Sequence, residues 1–295
     1  MISLSALATL AQTYADDLDL PVAPIVIGDR VRDQPVLMGC INLSRDSTYR
    51  ESIATSTEAA IRKGRVLAAQ GADVVDIGAE SSTAKAARVG TEAQIDSLVP
   101  VVLALAGDGI AVSVETYEPE VARACLEAGA QVLNFTGAAE QDAVFGLAAE
   151  FDATVVLCCV RGANVREISD VTLDSDPIPD LLAHFEDRVT VARAAGVERL
   201  VLDPGMGFYY GNLVDPQTRL QHQTRVLAQT FRLRRLGLPL CHALPHAFDT
   251  FGEEFRTAEG FFAVLAILGG ASMLRTHEIP QVRAVVRAMR TLDVT

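Results

Sequence analysis

Four absences narrow what this chain can be. No apolar run approaches the roughly 20 residues that a bilayer-spanning helix needs, and residues 1–20 lack the basic start and small-residue cleavage pattern of an export signal. A cytoplasmic protein with no membrane partner is therefore expected. There is no basic excess either: 25 lysines and arginines stand against 38 aspartates and glutamates, a formal net charge of -13, so nucleic acid is not an expected partner. A small anionic substrate would need local positive groups or a metal. The five cysteines, at positions 40, 125, 158, 159 and 241, show no metal-ligand spacing, and an odd number in a chain of this size is expected to stay reduced. Cys158 and Cys159 read as strand neighbours facing opposite ways, not as a redox pair. Finally, no stretch rich in Pro, Gly or Ser divides the chain, so its 295 residues, 49% of them hydrophobic, are expected to bury one large core.

What is present is alternation. Residues 1–34 read as an N-terminal extension, a helix over 3–16 followed by an irregular segment through Pro21 and Pro24. Over 35–295, strand-like apolar runs at 36–41, 72–77, 110–114, 131–134, 154–159, 200–202, 239–243 and 272–274 alternate with helical patterns near 55–70, 92–106, 118–129, 139–151, 177–196, 216–237, 256–268 and 279–292. Gly71, Gly129, Gly196 and Gly237 stand where helices should end before strands. Eight strand-then-helix units predict a single α/β domain, a (β/α)8 TIM barrel, with a doubly wound open sheet as the alternative.

A barrel collects its chemistry at the C-terminal ends of its strands. Polar residues fall there: Asn42 after the first strand, Asp76 with Glu80 just beyond the second, Glu115, Asn134, Asp203, and Arg275 with His277 after the last. Asp203 ends the apolar run 198–202 and is followed at once by Pro204 and Gly205, which fixes a carboxylate at a strand tip. Buried polar groups cost stability unless paired or used, so a ligand accounts for this concentration. Structural readings stand beside it. Arg275 could pair with Glu278 or another acid, His277 could cap a helix, Asn42 could cap a turn, Asp76 could orient loops, and Glu80 could partner Asn134. His242 and His246 fit packing or hydrogen bonding better than metal binding.

The segments Asn42-Leu43-Ser44-Arg45-Asp46-Ser47, Asp76-Ile77-Gly78-Ala79-Glu80-Ser81, Ser113-Val114-Glu115-Thr116-Tyr117, Val132-Leu133-Asn134, Leu202-Asp203-Pro204-Gly205-Met206-Gly207-Phe208 and Arg275-Thr276-His277-Glu278 together resemble the ordered motifs of dihydropteroate synthase and its pterin-binding relatives. The resemblance spans roughly residues 36–292. It implies a barrel that binds a pterin deep in its mouth, with Asp76, Glu115, Asn134, Asp203, Gly207, Tyr210 and His246 at the substrate-binding positions. It also implies that Asn42 contacts a Mg2+ ion, that Arg275 and His277 hold a pyrophosphate leaving group, and that the chain pairs as a homodimer. In the synthase the pterin's exocyclic methylene loses pyrophosphate and is captured by the amine of p-aminobenzoate.

The chain departs from the family at the second-substrate end. Tyr209 and Tyr210 stand where glycine and lysine are usual, and Leu244-Pro245-His246 replaces a serine-arginine-lysine motif. Loop one carries Arg45 and Thr48 in place of proline and phenylalanine and continues as Tyr49-Arg50-Glu51-Ser52, loop two carries Ser82-Thr83-Ala84, and Glu115 replaces an aspartate. A phenol is neutral and offers one donor where an ammonium offers three. Three functions follow from the resemblance: a divergent dihydropteroate synthase, with Arg45, Lys85 or His246 standing in for lost groups; a folate-dependent methyl transferase using the same pocket; or a pterin-binding paralogue without turnover.

Overall fold

The computed structural model describes residues 2–292 except 34, 48, 84–85, 172 and 209. Two short helices, α1 (Leu4–Thr13) and α2 (Ala15–Leu18), and a hairpin, β1 (Ile25–Ile27) with β2 (Arg30–Arg32), precede the barrel. Eight parallel strands follow: β3 (Val36–Asn42), β4 (Val74–Gly78), β5 (Val112–Thr116), β6 (Val132–Phe135), β7 (Thr154–Cys158), β8 (Leu200–Asp203), β9 (Cys241–Ala243) and β10 (Met273–Thr276). They are ordered β8-β7-β6-β5-β4-β3-β10-β9. A parallel bridge between Leu202 and Leu240 joins β8 to β9 and closes the sheet on itself. The expected (β/α)8 barrel is the fold observed.

The surrounding helices are α3 (Thr57–Gln70), α4 (Thr91–Gly107), α5 (Pro119–Glu127), α6 (Gln141–Glu150), α7 (Ile178–Ala194), α8 (Pro216–Gln229), α10 (Phe255–Leu268) and α11 (Ile279–Thr291), with a one-turn α9 (Phe248–Phe251) after β9. Ser56 and Asp215 cap α3 and α8 by accepting from backbone N–H groups three residues on. The segment expected as one helix over 216–237 is instead α8 followed by a 3-10 turn over Thr230–Leu236. Thr230 supplies a reason: its hydroxyl donates back to the Val226 carbonyl at 2.7 Å, a contact that bends helices. No helix among the described residues is long and apolar enough to cross a membrane.

Strand residues alternate between two cores. Leu37, Val75, Val112, Leu133, Val155, Leu202 and Leu274 face the helices, while Val36, Met38, Val74, Val132, Val156, Val201, Cys241 and Met273 fill the barrel interior. Cys158 lies in the interior cluster and Cys159 in the outer one, as strand parity requires; all five cysteines are free and buried. The hairpin joins the interior cluster through buried Ile25 and Ile27, and the Thr154 hydroxyl donates to the Val26 carbonyl. The segment read as irregular through Pro21 and Pro24 therefore contains a hairpin. Its signal is the two-residue Gly28-Asp29 turn, with Gly28 at φ +61°.

One buried charge ties the helical layer to the barrel rim. Arg188 of α7 is 5% exposed and donates to the carbonyls of Cys158 and Gly137, each at 2.7 Å, and to Gln141 Oε1 at 3.1 Å. Arg188→Leu is expected to leave both carbonyls unpaired and to cost about 2–4 kcal/mol. Urea unfolding of the two proteins measures it, and a loss under about 1 kcal/mol would show that water replaces the guanidinium.

Candidate active site

The same parity that fills the interior decides which polar side chains enter the mouth. Two residues beyond inward-facing Val74 stands Asp76, beyond Val132 stands Asn134, beyond Val201 stands Asp203 and beyond Met273 stands Arg275. Ser113 and Glu115 hold the same phase on β5, alternating with outward-facing Val112 and Val114. Five strands thus aim ionisable or amide groups at one volume.

Asp76 is the centre of the network. Fully buried, it accepts from the Ser113 hydroxyl at 2.6 Å, from Asn134 Nδ2 at 3.1 Å and from Arg275 Nε at 2.8 Å. Arg275 also donates from Nη2 to Glu115 Oε2 at 2.6 Å, and Nη1 carries no hydrogen bond to a described residue. Burial opposes the charge on Arg275, but Cys40, Asp76 and Glu115 hold its pKa well above the usual range. Burial raises Glu115 to about 6; Asp76 and Asp203 push the same way, against Arg275. Arg275 therefore bridges the two carboxylates and does not pair with Glu278.

Asp203 lies beside this network. Its Oδ1 accepts from Gly205 N at 2.7 Å, and burial lifts its pKa to about 6. Gly205, at φ +78°, cannot be exchanged, because a Cβ there would run into the Cys159 carbonyl. Gly207 lines the cavity against Ala243.

A second cluster forms the rim. Glu259 of α10, fully buried, receives the Thr276 hydroxyl, His277 N at 2.9 Å and Glu278 N at 3.3 Å on Oε2. Its Oε1 faces His277 Nδ1 at 3.0 Å and His246 Nδ1 at 3.2 Å. Despite burial, the contacts with His246 and His277 hold the Glu259 carboxyl well below the usual range. Burial brings His277 down to about 4, against Glu259. Tyr49, from loop one, stacks on His277 with ring centroids 4.4 Å apart and donates to Glu278. Burial and the Glu278 contact raise the Tyr49 phenol above its usual range. Asn42 also faces the cavity, its Nδ2 donating to Ser52 Oγ.

Several sequence expectations need correcting. Glu80 does not partner Asn134: it accepts from Tyr117 and from Val89 N, while Asn134 meets Asp76 and the Cys158 thiol. Tyr210 turns away from the cavity, buried, with its hydroxyl on the Cys159 carbonyl at 3.0 Å, because the Pro204-Gly205 turn folds it back over β7. Arg45 is exposed and is not part of the cavity wall. Thr48, Ala84, Lys85 and Tyr209 lie outside the described residues. His242, by contrast, packs and hydrogen-bonds as expected, buried with Nε2 on Thr230 Oγ1 at 2.7 Å, and burial lowers its pKa to about 3.

Tyr49, Glu259 and Arg166 escaped the sequence reading. Arg166, in the loop after β7, donates to the carbonyls of Ser81, Thr83 and Ala86 and so straps loop two. Glu259 sits inside an apolar helix, and that incongruity was its only signal.

The mouth opens into a cavity of about 1040 Å³ including its open end, walled by Asn42, Tyr49, Glu115, Gly207, Arg275 and His277 among others. Asp76, Asn134 and Asp203 lie beneath this wall, each under 5% exposed. The sequence matches the pterin binding enzyme family over residues 38–277. It is 33% identical to the type-2 dihydropteroate synthase of Escherichia coli over 88% of this chain and 97% of that protein. The fold matches Xanthomonas albilineans dihydropteroate synthase with 4-aminobenzoic acid at a TM-score of 0.76 and 29% identity, covering 92% of this chain and 99% of that one. The same enzyme in complex with 7,8-dihydropteroate matches at 0.72 and 25%, covering 92% and 100%. With a match across most of its length and this set of strand-tip groups, the chain belongs to the dihydropteroate synthase family of pterin-binding enzymes.

Proposed function

We propose that the chain is a dihydropteroate synthase-type transferase, joining a dihydropterin methyl diphosphate to the amine of p-aminobenzoate or an analogue with loss of pyrophosphate. The observation that carries this reading is the guanidinium of Arg275 held between Asp76 and Glu115. A pterin presents a guanidine-like edge, a 2-amino group flanked by ring nitrogens. Carboxylates that grip one planar fork of N–H donors suit another. Asn134 and Asp203 would complete recognition of that edge, and the aromatic and apolar wall at Phe208 and Met206 would cover the ring faces.

In this reading Arg275 leaves its carboxylates to the pterin and turns its fork to the diphosphate, where planar bidentate contact suits phosphate oxygens. His277, lining the same cavity, adds a donor. The residues present fit Mg2+: this ion keeps few protein ligands and takes the rest from phosphate and water, and Asn42 offers a carboxamide oxygen at the cavity wall. When bound, Mg2+ would neutralise charge growing on the departing oxygen. The amine attacks the methylene carbon, the C–O bond breaks with its electron pair leaving on pyrophosphate, and the surplus proton on the amine nitrogen is lost to solvent or to the departing pyrophosphate. Glu115, with its raised pKa, is the cavity-lining carboxylate placed to exchange a proton with the heterocycle.

A homodimer, a cytoplasmic location and the division of the chain into an extension (1–34) and a barrel domain (35–295) belong to the same reading. Exposed Phe261 and Leu268 on α10 offer an apolar face for pairing. The replaced second-substrate motif supports a changed amine pocket, since His246 faces Glu259 where the family has a lysine. The test is direct. Purified protein with dihydropterin methyl diphosphate, Mg2+ and p-aminobenzoate is expected to release one pyrophosphate per dihydropteroate formed. Pterin binding without pyrophosphate release for any arylamine, or methyl loss from a methylated reduced folate, would replace the transferase reading.

A further inference from the structure

One ring nitrogen of the Glu259 cluster lacks a hydrogen-bond partner among the described residues. Two imidazoles aim Nδ1 at the same carboxylate oxygen, at 3.0 Å from His277 and 3.2 Å from His246. The first is aligned as a hydrogen bond. The second is not, and His246 Nδ1 is left buried and unpartnered although a carboxylate oxygen is within reach. A buried ring nitrogen without a partner is costly. Glu259 Oε1 could accept from both rings, but as placed it serves only His277; a cation between the three atoms would satisfy both nitrogens and the oxygen at once.

We propose that His246, His277 and Glu259 form a binding site for a transition-metal dication of the Zn2+ class. The three donor atoms lie within 4.8 Å of one another. An ion about 2.0–2.2 Å from each would sit with neighbouring donors roughly 3–3.5 Å apart, the spacing already held by both Glu259–histidine pairs; binding would draw the two imidazoles to the same spacing. Each donor comes from a different element: the loop after β9, the C-terminal tip of β10 and α10. The carboxylate is already aimed, because its other oxygen is fixed by Thr276 Oγ1 and by the backbone N–H groups of His277 and Glu278, the outer-shell support that metal ligands usually have. Tyr49 fixes the His277 ring by stacking on it. Two imidazoles and one carboxylate select Zn2+ or Co2+ over Mg2+, which takes oxygen ligands. This site differs in its ligands from the Mg2+ position at Asn42; it shares His277 with the proposed diphosphate pocket through the ring's Nδ1, and metal binding can be read without turnover.

The experiment strips the full chain with chelator, removes the chelator, and titrates it with Co2+ followed by visible absorption and with Zn2+ by calorimetry. One equivalent of each is expected to bind, with ligand-field bands, no thiolate charge-transfer band, and no displacement by millimolar Mg2+. His246→Ala is expected to weaken both ions by about 100-fold or more. That residue is partly exposed, so the variant should stay folded, which circular dichroism and a cooperative melt check directly. Glu259→Gln should weaken binding in the same way, and Zn2+ should raise the melting temperature of the wild type but not of His246→Ala. Binding that is absent, unaffected by His246→Ala, or accompanied by thiolate bands from the five cysteines would overturn the proposal, as would displacement by Mg2+.

Discussion

Arg275→Ala is expected to cost about 3–5 kcal/mol of fold stability near neutral pH and to abolish the affinity that a diphosphate adds to a pterin alcohol. The size follows from what is left behind. Asp76 is fully buried and Glu115 largely so, and without the guanidinium their charges face each other across a space of low polarity. The loss should shrink as pH falls, because Glu115, already raised to about 6 by burial, can then take a proton that replaces the missing cation. Urea unfolding of wild type and variant at pH 7 and pH 5 reads this directly. A penalty that is constant with pH would mean the two carboxylates are held apart by groups other than Arg275. Arg275→Lys separates the two roles: it restores a charge but not the fork, so it should recover most of the stability and little of the diphosphate preference. If wild-type calorimetry shows no preference for the diphosphate over the alcohol, the leaving-group assignment of Arg275 fails even where the stability effect is found.

The barrel and its mouth are legible in the sequence for one reason: eight apolar runs alternate with helical patterns, and each run's C-terminal end marks where a polar group meets the mouth. The strand-like runs at 36–41 and 200–202 differ from β3 and β8 by a single terminal residue, and the strand ends then place Asp76, Asn134, Asp203 and Arg275 at the barrel mouth without reference to any other protein; strand parity in the structure turns them inward. Residues outside that register were harder. Tyr210 lies past a glycine with positive φ, and such a turn resets direction in a way no periodicity records. Glu80, a candidate partner of Asn134 in the sequence, has Tyr117 and Arg166 as its partners, and these come from two other loops. Glu259 is four residues into a helix whose pattern is apolar, and a single acid there reads as a flaw until the tip of β10 is seen to lie against it. Hairpin β1–β2 fell below notice because three-residue strands carry too little alternation. What the sequence could not carry was contact between loops, and the rim of this site is made of loops.

Asp203→Asn separates recognition from stability, because the two should move in opposite directions. The carboxamide oxygen keeps an acceptor for Gly205 N, so the turn is expected to survive and the melt to stay cooperative, while the contacts from Cys241 and the Ala243 backbone weaken and reduce the stability gained by removing the charge. Pterin binding should weaken by about 10- to 100-fold, the loss of a charge-assisted hydrogen bond. Stability should rise. Burial lifts the Asp203 carboxyl from its usual 3.8 to about 6, so between those values the folded protein holds the proton more tightly than the unfolded chain. Its ionisation therefore opposes folding in full above about pH 6, and the opposition fades as pH falls toward 4. Removing the charge should make the variant more stable than wild type at pH 7, by up to about 3 kcal/mol from a shift of roughly two units. The difference should close by about pH 4. A variant less stable than wild type at pH 7 would mean that the carboxylate is held by contacts strong enough to offset its burial. Unchanged pterin affinity by calorimetry would remove Asp203 from the pocket. A gain in stability together with a loss of affinity would mark this carboxylate as one the fold tolerates for the sake of its ligand.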